Sequence, residues 1–214
     1  MMPRMYAHAK KHFKKSDPIL YRAAREIELE ELATSTNLFR DIVWTIVGQQ
    51  LSARAADAIF ERLMQAFPSE NLEAVSILQK SDEELRARGL SMAKARAIKA
   101  FAEAVHEEEL FLDSFDSLGD AEIVTQLTRV KGIGPWTAEM VLMFSLGRPD
   151  IFSQGDLGLR KGIMELYQLR KSPSERRLRT MLAAWSPYRT YAARILWKIS
   201  DRKTARIGRT RGEK

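Results

Sequence analysis

The sequence predicts an all-α protein of about ten helices. Three observations carry that prediction. No useful stretch alternates apolar and polar residues with the period of two that a half-buried strand needs. No Asn-Gly or Asp-Gly pair joins two apolar runs as a hairpin turn. Apolar residues instead recur at helical spacing, and Gly, Pro and Ser stand where helices would start and stop.

The elements follow in order. Phe39, Ile42, Val43, Ile46 and Val47 recur three and four residues apart, along one face of a helix. That helix breaks at Gly48-Gln49-Gln50-Leu51-Ser52, and Ser52 can cap a second helix through Ala58, Ile59, Leu63 and Met64. Gly48 would cost about 1 kcal/mol against Ala inside a helix, so it needs a packing or functional reason. Asp82 to Ala87 is a short helix stopped by Gly89, and Met92 to Val105 is the next. Ser117 or Asp120 caps a helix ending near Arg129. Pro135 opens one that runs to Leu146 and stops at Gly147. Asp156 to Tyr167, Pro173 to Ala184 and Tyr188 to Ile199 complete the set. No internal repeat is present, and only the two ends read as flexible.

Composition narrows the function classes. The chain has 214 residues, 45% of them hydrophobic, enough for a sizeable core. No run of about 18 apolar residues predicts a membrane span. Arg4, Lys10 and Lys11 are not followed by the apolar run of a secretory signal. Cysteine is absent, which excludes disulfides, thiol catalysis, Cys-ligated zinc and iron–sulfur clusters, and is compatible with the cytoplasm. The formal charge of +7 is concentrated in residues 1–17 (+4) and 201–214 (+4). Two basic solvated ends therefore explain it as readily as a polyanion partner does.

The most informative run is Val130-Lys131-Gly132-Ile133-Gly134-Pro135-Trp136-Thr137, between two helices. Gly132 and Gly134 permit positive φ and close approach by another backbone. Pro135 suits the first helical position. Amides at such a helix start favour an anion, for which a DNA phosphate is the natural guest, with Lys131 beside it. The competing reading is a plain tight turn. Asp156, before a helix, reads locally as an N-cap. Trp44, Trp136, Trp185 and Trp197 read singly as core, and Gln49-Gln50 as an exposed bend or something that enters a partner.

Leu127 to Gly162 resembles the helix-hairpin-helix and Gly/Pro-Asp signature of base-excision DNA glycosylases, in particular the 3-methyladenine DNA glycosylase II family of alkylation repair. The motifs are 130–140, Asp-Ile-Phe-Ser-Gln-Gly-Asp-Leu-Gly-Leu-Arg-Lys-Gly at 150–162, Ile-Val-Gly-Gln-Gln-Leu-Ser at 46–52 and Trp-Ser-Pro-Tyr-Arg-Thr-Tyr-Ala at 185–192, in family order across about residues 36–200. The resemblance implies a two-lobed helix-hairpin-helix glycosylase fold with a central cleft. Residues 1–35 would pack on the C-terminal lobe, 36–116 would form a central helical lobe, 117–200 the hairpin and catalytic lobe, and 201–214 a basic tail. Too few residues precede the match for the extra N-terminal domain of some relatives, so the compact form is expected.

The resemblance also assigns roles. Asp156 becomes the catalytic carboxylate, with Gly155 where the family often has a second acid. Trp136 and Trp197 fall on positions that stack on an everted base, with Met140 and Trp44 beside them. Met140 stands where some relatives have a pocket tyrosine. Trp185, Tyr188 and Tyr191 would support the site from behind. Gln50, with Leu51, would fill the gap that the base leaves. Lys131, Gly132, Ile133, Gly134 and Thr137 would grip phosphate. The carbonyls of Thr128, Val130 and Ile133 would hold a structural sodium or potassium ion. No catalytic cofactor is implied. Trp136 replaces the Schiff-base lysine of bifunctional relatives, so hydrolysis without β-lyase activity is expected. Ser91, Lys94 and Arg96 offer a second phosphate clamp, with a solvated helix face as the alternative for Lys94 and Arg96. The expected partner is double-stranded DNA carrying alkylated purines of the 3-methyladenine and 7-methylguanine type. The protein would be a monomer without a membrane association, cytoplasmic, and nucleoid-associated in a bacterium. A non-catalytic lesion-binding module is the alternative, but it would need neither Asp156 nor the tryptophans.

Overall fold

The computed structural model describes residues 5–67 and 72–211, with side chains up to residue 202. The regular structure of the described residues is helical throughout. The chain divides into two compact units, Met1–Leu32 with Arg148–Lys214, and Ala33–Gly147.

The first unit begins with α1 (Met5–Ser16) and α2 (Pro18–Glu26). Tyr6, Ala9 and Phe13 of α1 are buried, while Lys11, Lys14 and Lys15 are exposed. The N-terminal basic stretch is therefore an amphipathic helix, not the solvated end that its charge predicts. Its lysines occupy the face opposite an apolar stripe too short to read from sequence. Asp17 caps α2, accepting from the amides of Ile19 and Leu20 at 3.2 and 3.0 Å, and Pro18 takes the first helical position. Its other oxygen accepts from Trp185 Nε1 at 2.8 Å and from the Tyr167 hydroxyl. Burial and this carboxylate push the Tyr167 hydroxyl well above the usual tyrosine range.

The second unit holds α3 (Leu38–Gly48), capped by Asn37, and α4 (Ala53–Met64), capped by Ser52 as the sequence predicts. A short α5 (Ala74–Leu78) was not expected. Ser81 and Glu84 form a reciprocal capping box at α6 (Asp82–Ala87). Gly89, at φ +100, ends it, and Ser91 caps α7 (Met92–His106). The helix α8 (Asp120–Arg129) is capped at Gly119, not at Ser117 or Asp120, because the Glu122 carboxylate reaches back to the Gly119 amide at 2.9 Å. Pro135 opens α9 (Pro135–Met140). The single helix expected to Leu146 instead widens into a π turn, Val141–Ser145, in which the Leu146 amide bonds to the Val141 carbonyl at 3.0 Å. Gly147 stops it at φ +62. Ile42, Ile46, Leu63, Ile98, Phe101 and Leu127 are buried, with Phe39 stacked on Phe101 at 5.0 Å between centroids.

The expected boundary between residues 116 and 117 lies inside this unit. The physical reason is that α9 packs on α3 as well as on α8, and Gly132 lies against Ala97 of α7. The hairpin thus belongs with the helices before it.

The chain then returns to the first unit with α10 (Leu157–Leu166), α11 (Glu175–Trp185) and α12 (Arg189–Arg211). The backbone of α12 runs past the expected stop at Ile199 and through most of the expected tail; residues 212–214 of that tail lie outside the described residues. Packing of α10 on α12 is set by Gly162, where a Cβ would lie 2.3 Å from the Leu196 carbonyl oxygen. Within this unit α1 packs on α11, and α2 on α10 and α12. Among the described residues no helix is long and apolar enough to cross a membrane.

Candidate active site

Asp156 ends a loop that is pinned to the start of α12. Thr190 Oγ1 accepts from the Ile151 amide at 3.0 Å and donates to the Arg148 carbonyl at 2.6 Å, and the Thr190 amide bonds to Pro149 at 3.0 Å. Asp150 receives a bidentate guanidinium from Arg189, at 2.7 and 2.9 Å, and the Ser186 hydroxyl at 2.7 Å. Burial raises the Asp150 carboxyl, but these donors outweigh it and hold the group below the usual carboxylate range.

From this anchored loop the Asp156 side chain caps α10. Its Oδ1 accepts from the Leu159 amide at 2.8 Å and from Trp197 Nε1 at 3.0 Å. The local N-cap reading is therefore correct, and it coexists with a second, tertiary contact 41 residues away. The indole of Trp197, expected from the sequence to stack on a base, orients the carboxylate through this bond. Gly158 leaves the room for this, since a Cβ there would be 3.0 Å from both Asp156 Oδ1 and Trp197 Cδ1. Leu157, 71% exposed beside Asp156, was missed by the sequence reading; an apolar residue at the first helical position carries no signal of its own. Trp185 and Tyr191 are fully buried in the same unit, Tyr191 stacked on Tyr6 at 5.6 Å, and Tyr188 lies edge-on to Tyr191.

In the second unit the two hairpin glycines have different reasons. Gly132 adopts φ +93, and a Cβ there would lie 2.4 Å from that of Ala97, so its absence of a side chain serves conformation and packing. Gly134 has an ordinary φ of −96, and nothing lies within 4 Å of where its Cβ would be. The fold itself does not require glycine at 134. Lys131 is exposed beside it. Ile133 and Thr137 are buried, at 4% and 2% exposure, so their side chains are not phosphate ligands. The Thr137 hydroxyl instead accepts from Gln49 Nε2 at 2.9 Å.

Of the two glutamines, Gln49 is turned inward and Gln50 outward. Gln49 Nε2 also donates to the Gly132 carbonyl at 3.1 Å. Gln50 is exposed at φ +58, and Leu51 beside it is 39% exposed. Lys94 is half-buried: its Nζ donates to the Val47 carbonyl at 2.7 Å, and burial lowers it from the usual lysine range. Ser91 is the α7 cap, and Arg96 pairs with Asp82 at 3.4 Å. Trp136 is half-buried and Met140 buried on α9. Trp44 stands apart. Its Nε1 donates to Asp57 at 3.0 Å in a groove lined by Asn37, Arg40, Asp41 and Phe60, where no other predicted site residue lies.

A family model described as HhH-GPD superfamily base excision DNA repair protein matches residues 43–187. The chain belongs to that superfamily. This HhH-GPD protein is 33% identical over 182 residues to DNA-3-methyladenine glycosylase 1 of Schizosaccharomyces pombe, covering 84% of this chain and 77% of the relative. The solved structure of S. pombe 3-methyladenine DNA glycosylase (Mag1) in complex with abasic DNA superposes with a TM-score of 0.81 at 30% identity, covering 89% of this chain and 95% of that one. A DNA-3-methyladenine glycosidase from Bacillus halodurans gives 0.77 at 35% identity, over 90% and 88% of the two chains. The all-helical HhH-GPD fold expected from the sequence is thereby confirmed.

Proposed function

We propose that the protein is a monofunctional DNA glycosylase that everts alkylated purines from duplex DNA and hydrolyses their N-glycosidic bond, leaving an abasic site. The observation that carries this reading is the Asp156 carboxylate, held at the start of α10 by the Leu159 amide and the Trp197 indole. Cleavage of the glycosidic bond leaves positive charge on C1′. A pre-oriented carboxylate stabilises that charge without reorganising during the reaction, and can orient or deprotonate the attacking water. An N3- or N7-alkylated purine is already cationic and departs as a neutral base, so it needs no second acid. The half-buried indole of Trp136 offers a face that attracts such a ring more than a neutral one.

Trp136 also supports hydrolysis without lyase chemistry, because an indole forms no imine. The hairpin supports a grip on the DNA backbone through Lys131 and the open approach at Gly134, with Gln50 and Leu51 as the wedge. The carbonyls of Thr128 and Ile133 accept from no backbone amide among the described residues, and Val130 accepts only from Ile133, at 3.1 Å. Such oxygens fit a hard monovalent cation, sodium or potassium, whose role would be to stiffen the hairpin. The test is to incubate the protein with methylated duplex DNA and then with borohydride. Free 3-methyladenine or 7-methylguanine with no trapped protein–DNA adduct is expected; a trapped adduct refutes the monofunctional reading, and no released base refutes the enzyme.

A further inference from the structure

Gln50, the predicted wedge, sits in a turn that the surrounding side chains hold from two sides. On one side, Gln49 Nε2 bonds to the hairpin at the Gly132 carbonyl and at Thr137 Oγ1, 3.1 and 2.9 Å away. On the other, Lys94 Nζ reaches from the first turn of α7 to the Val47 carbonyl at 2.7 Å. That carbonyl belongs to the last turn of α3, where acceptors lack intrahelical partners and a cation is favoured. One turn later on α7, Ala97 meets the hairpin at Gly132. The wedge turn, the hairpin and the start of α7 therefore touch one another pairwise. Within that frame Gln50 is fixed at φ +58, a left-handed conformation that a glutamine does not choose unaided.

We infer that Gln49 and Lys94 are positioning residues for the wedge, locking the Gln50 turn to the phosphate-gripping hairpin so that the two engage duplex DNA as one preformed unit. The inference rests on the glycosylase reading and on Gln50 as the inserted residue. It gives Gln49 a role distinct from that of its neighbour: one glutamine enters the base stack, and the other holds it in register with the hairpin. It gives Lys94 a role that its charge does not suggest. A lysine committed to a protein carbonyl releases no counterions when DNA binds, whereas a phosphate-binding lysine does.

The test compares Gln49→Ala, Gln50→Ala, the double variant and Lys94→Met. Each is assayed for excision of 7-methylguanine from duplex and from single-stranded DNA, and for lesion-duplex affinity across a salt series. Gln49→Ala should lower the ratio of duplex to single-stranded excision about tenfold, the effect of losing two hydrogen bonds, one exposed and one part-buried, of about 0.5–1 kcal/mol each. The double variant should be no worse than about the poorer single one, because both remove the same preformed wedge. Lys94→Met should weaken duplex binding while the slope of log K against log salt stays as in the wild type. If Gln49→Ala does not fold, Gln49→Glu keeps the side-chain shape and removes the amide donors. Equal losses on duplex and single strand, or additive losses in the double variant, overturn the role of Gln49. A slope reduced by about 0.9 makes Lys94 a phosphate ligand and overturns its positioning role. If Gln50→Ala shows a duplex-specific loss and Gln49→Ala does not, the inference alone fails. If neither does, the wedge reading fails with it.

Discussion

Replacing Gly162 with Ala tests how Asp156, the carboxylate proposed for catalysis, is held. The added methyl would lie 2.3 Å from the Leu196 carbonyl oxygen and 2.8 Å from its carbon, both backbone atoms of α12. Ordinary contact needs roughly 1 Å more, and no rotamer change can supply it, so α12 must shift away from α10. Overpacking of this kind costs about 1–3 kcal/mol, and the better helix propensity of Ala returns about 1 kcal/mol. A net loss of up to about 2 kcal/mol lowers Tm by up to roughly 8 °C for a chain of this length. The shift also carries Trp197, the next residue after Leu196, away from Asp156, stretching a hydrogen bond that is now 3.0 Å. A misplacement of about 1 Å at a catalytic group can cost up to a hundredfold in rate. The assay is single-turnover excision at saturating enzyme, paired with thermal unfolding. Wild-type excision together with an unchanged or raised Tm would refute the claim that this glycine sets the α10–α12 spacing and, through it, the carboxylate.

Other consequences follow from the same geometry. Trp197→Phe keeps an aromatic face but removes the indole N–H, and should lower single-turnover excision about tenfold, as loss of one hydrogen bond to a charged group would. Gly134→Ala should unfold within about 1 °C of wild type yet bind duplex DNA about tenfold more weakly by fluorescence anisotropy, whereas Gly132→Ala should lose stability in thermal unfolding. Because the folded-state Asp150 carboxyl is held below its unfolded value, its contribution to stability is present above about pH 4 and is lost as pH falls through the folded value. Urea midpoints measured from pH 6 to pH 3 should therefore fall more steeply for wild type than for Asp150→Asn. Exchanging sodium or potassium for a large organic cation at constant ionic strength should lower duplex affinity through the hairpin, read as a change in Kd.

What could be read from the sequence was local. The hairpin was legible because Gly132, Gly134 and Pro135 have backbone reasons to stand where they do, and Ser52 and Gly147 mark helix ends by the same logic. The N-terminal helix was hidden because four lysines (Lys10, Lys11, Lys14 and Lys15) dominate its composition, while Tyr6, Ala9 and Phe13 form a stripe of only three buried residues. The unit boundary was misplaced because contacts such as Gly132 with Ala97 join segments far apart in the chain. The same limit applies at the site. Asp156 could be chosen from its motif, but its bond with Trp197 depends on the packing of α10 on α12, and no local pattern encodes it. Gln49 and Gln50 are chemically identical neighbours; only the turn, with φ +58 at the second, separates an inward side chain from an outward one. Lys94 read as solvated or phosphate-binding because a lone lysine at a helix start gives no hint of a carbonyl partner 47 residues away.

The most direct measurement is release of methylated base from alkylated duplex DNA by wild type and Asp156→Asn, with lesion-duplex affinity measured on the same samples. The account predicts at least about a hundredfold loss of excision with binding retained, since the substitution removes charge aimed at C1′ and little else. Excision by Asp156→Asn within a few-fold of wild type would remove this carboxylate from the chemistry and contradict the account.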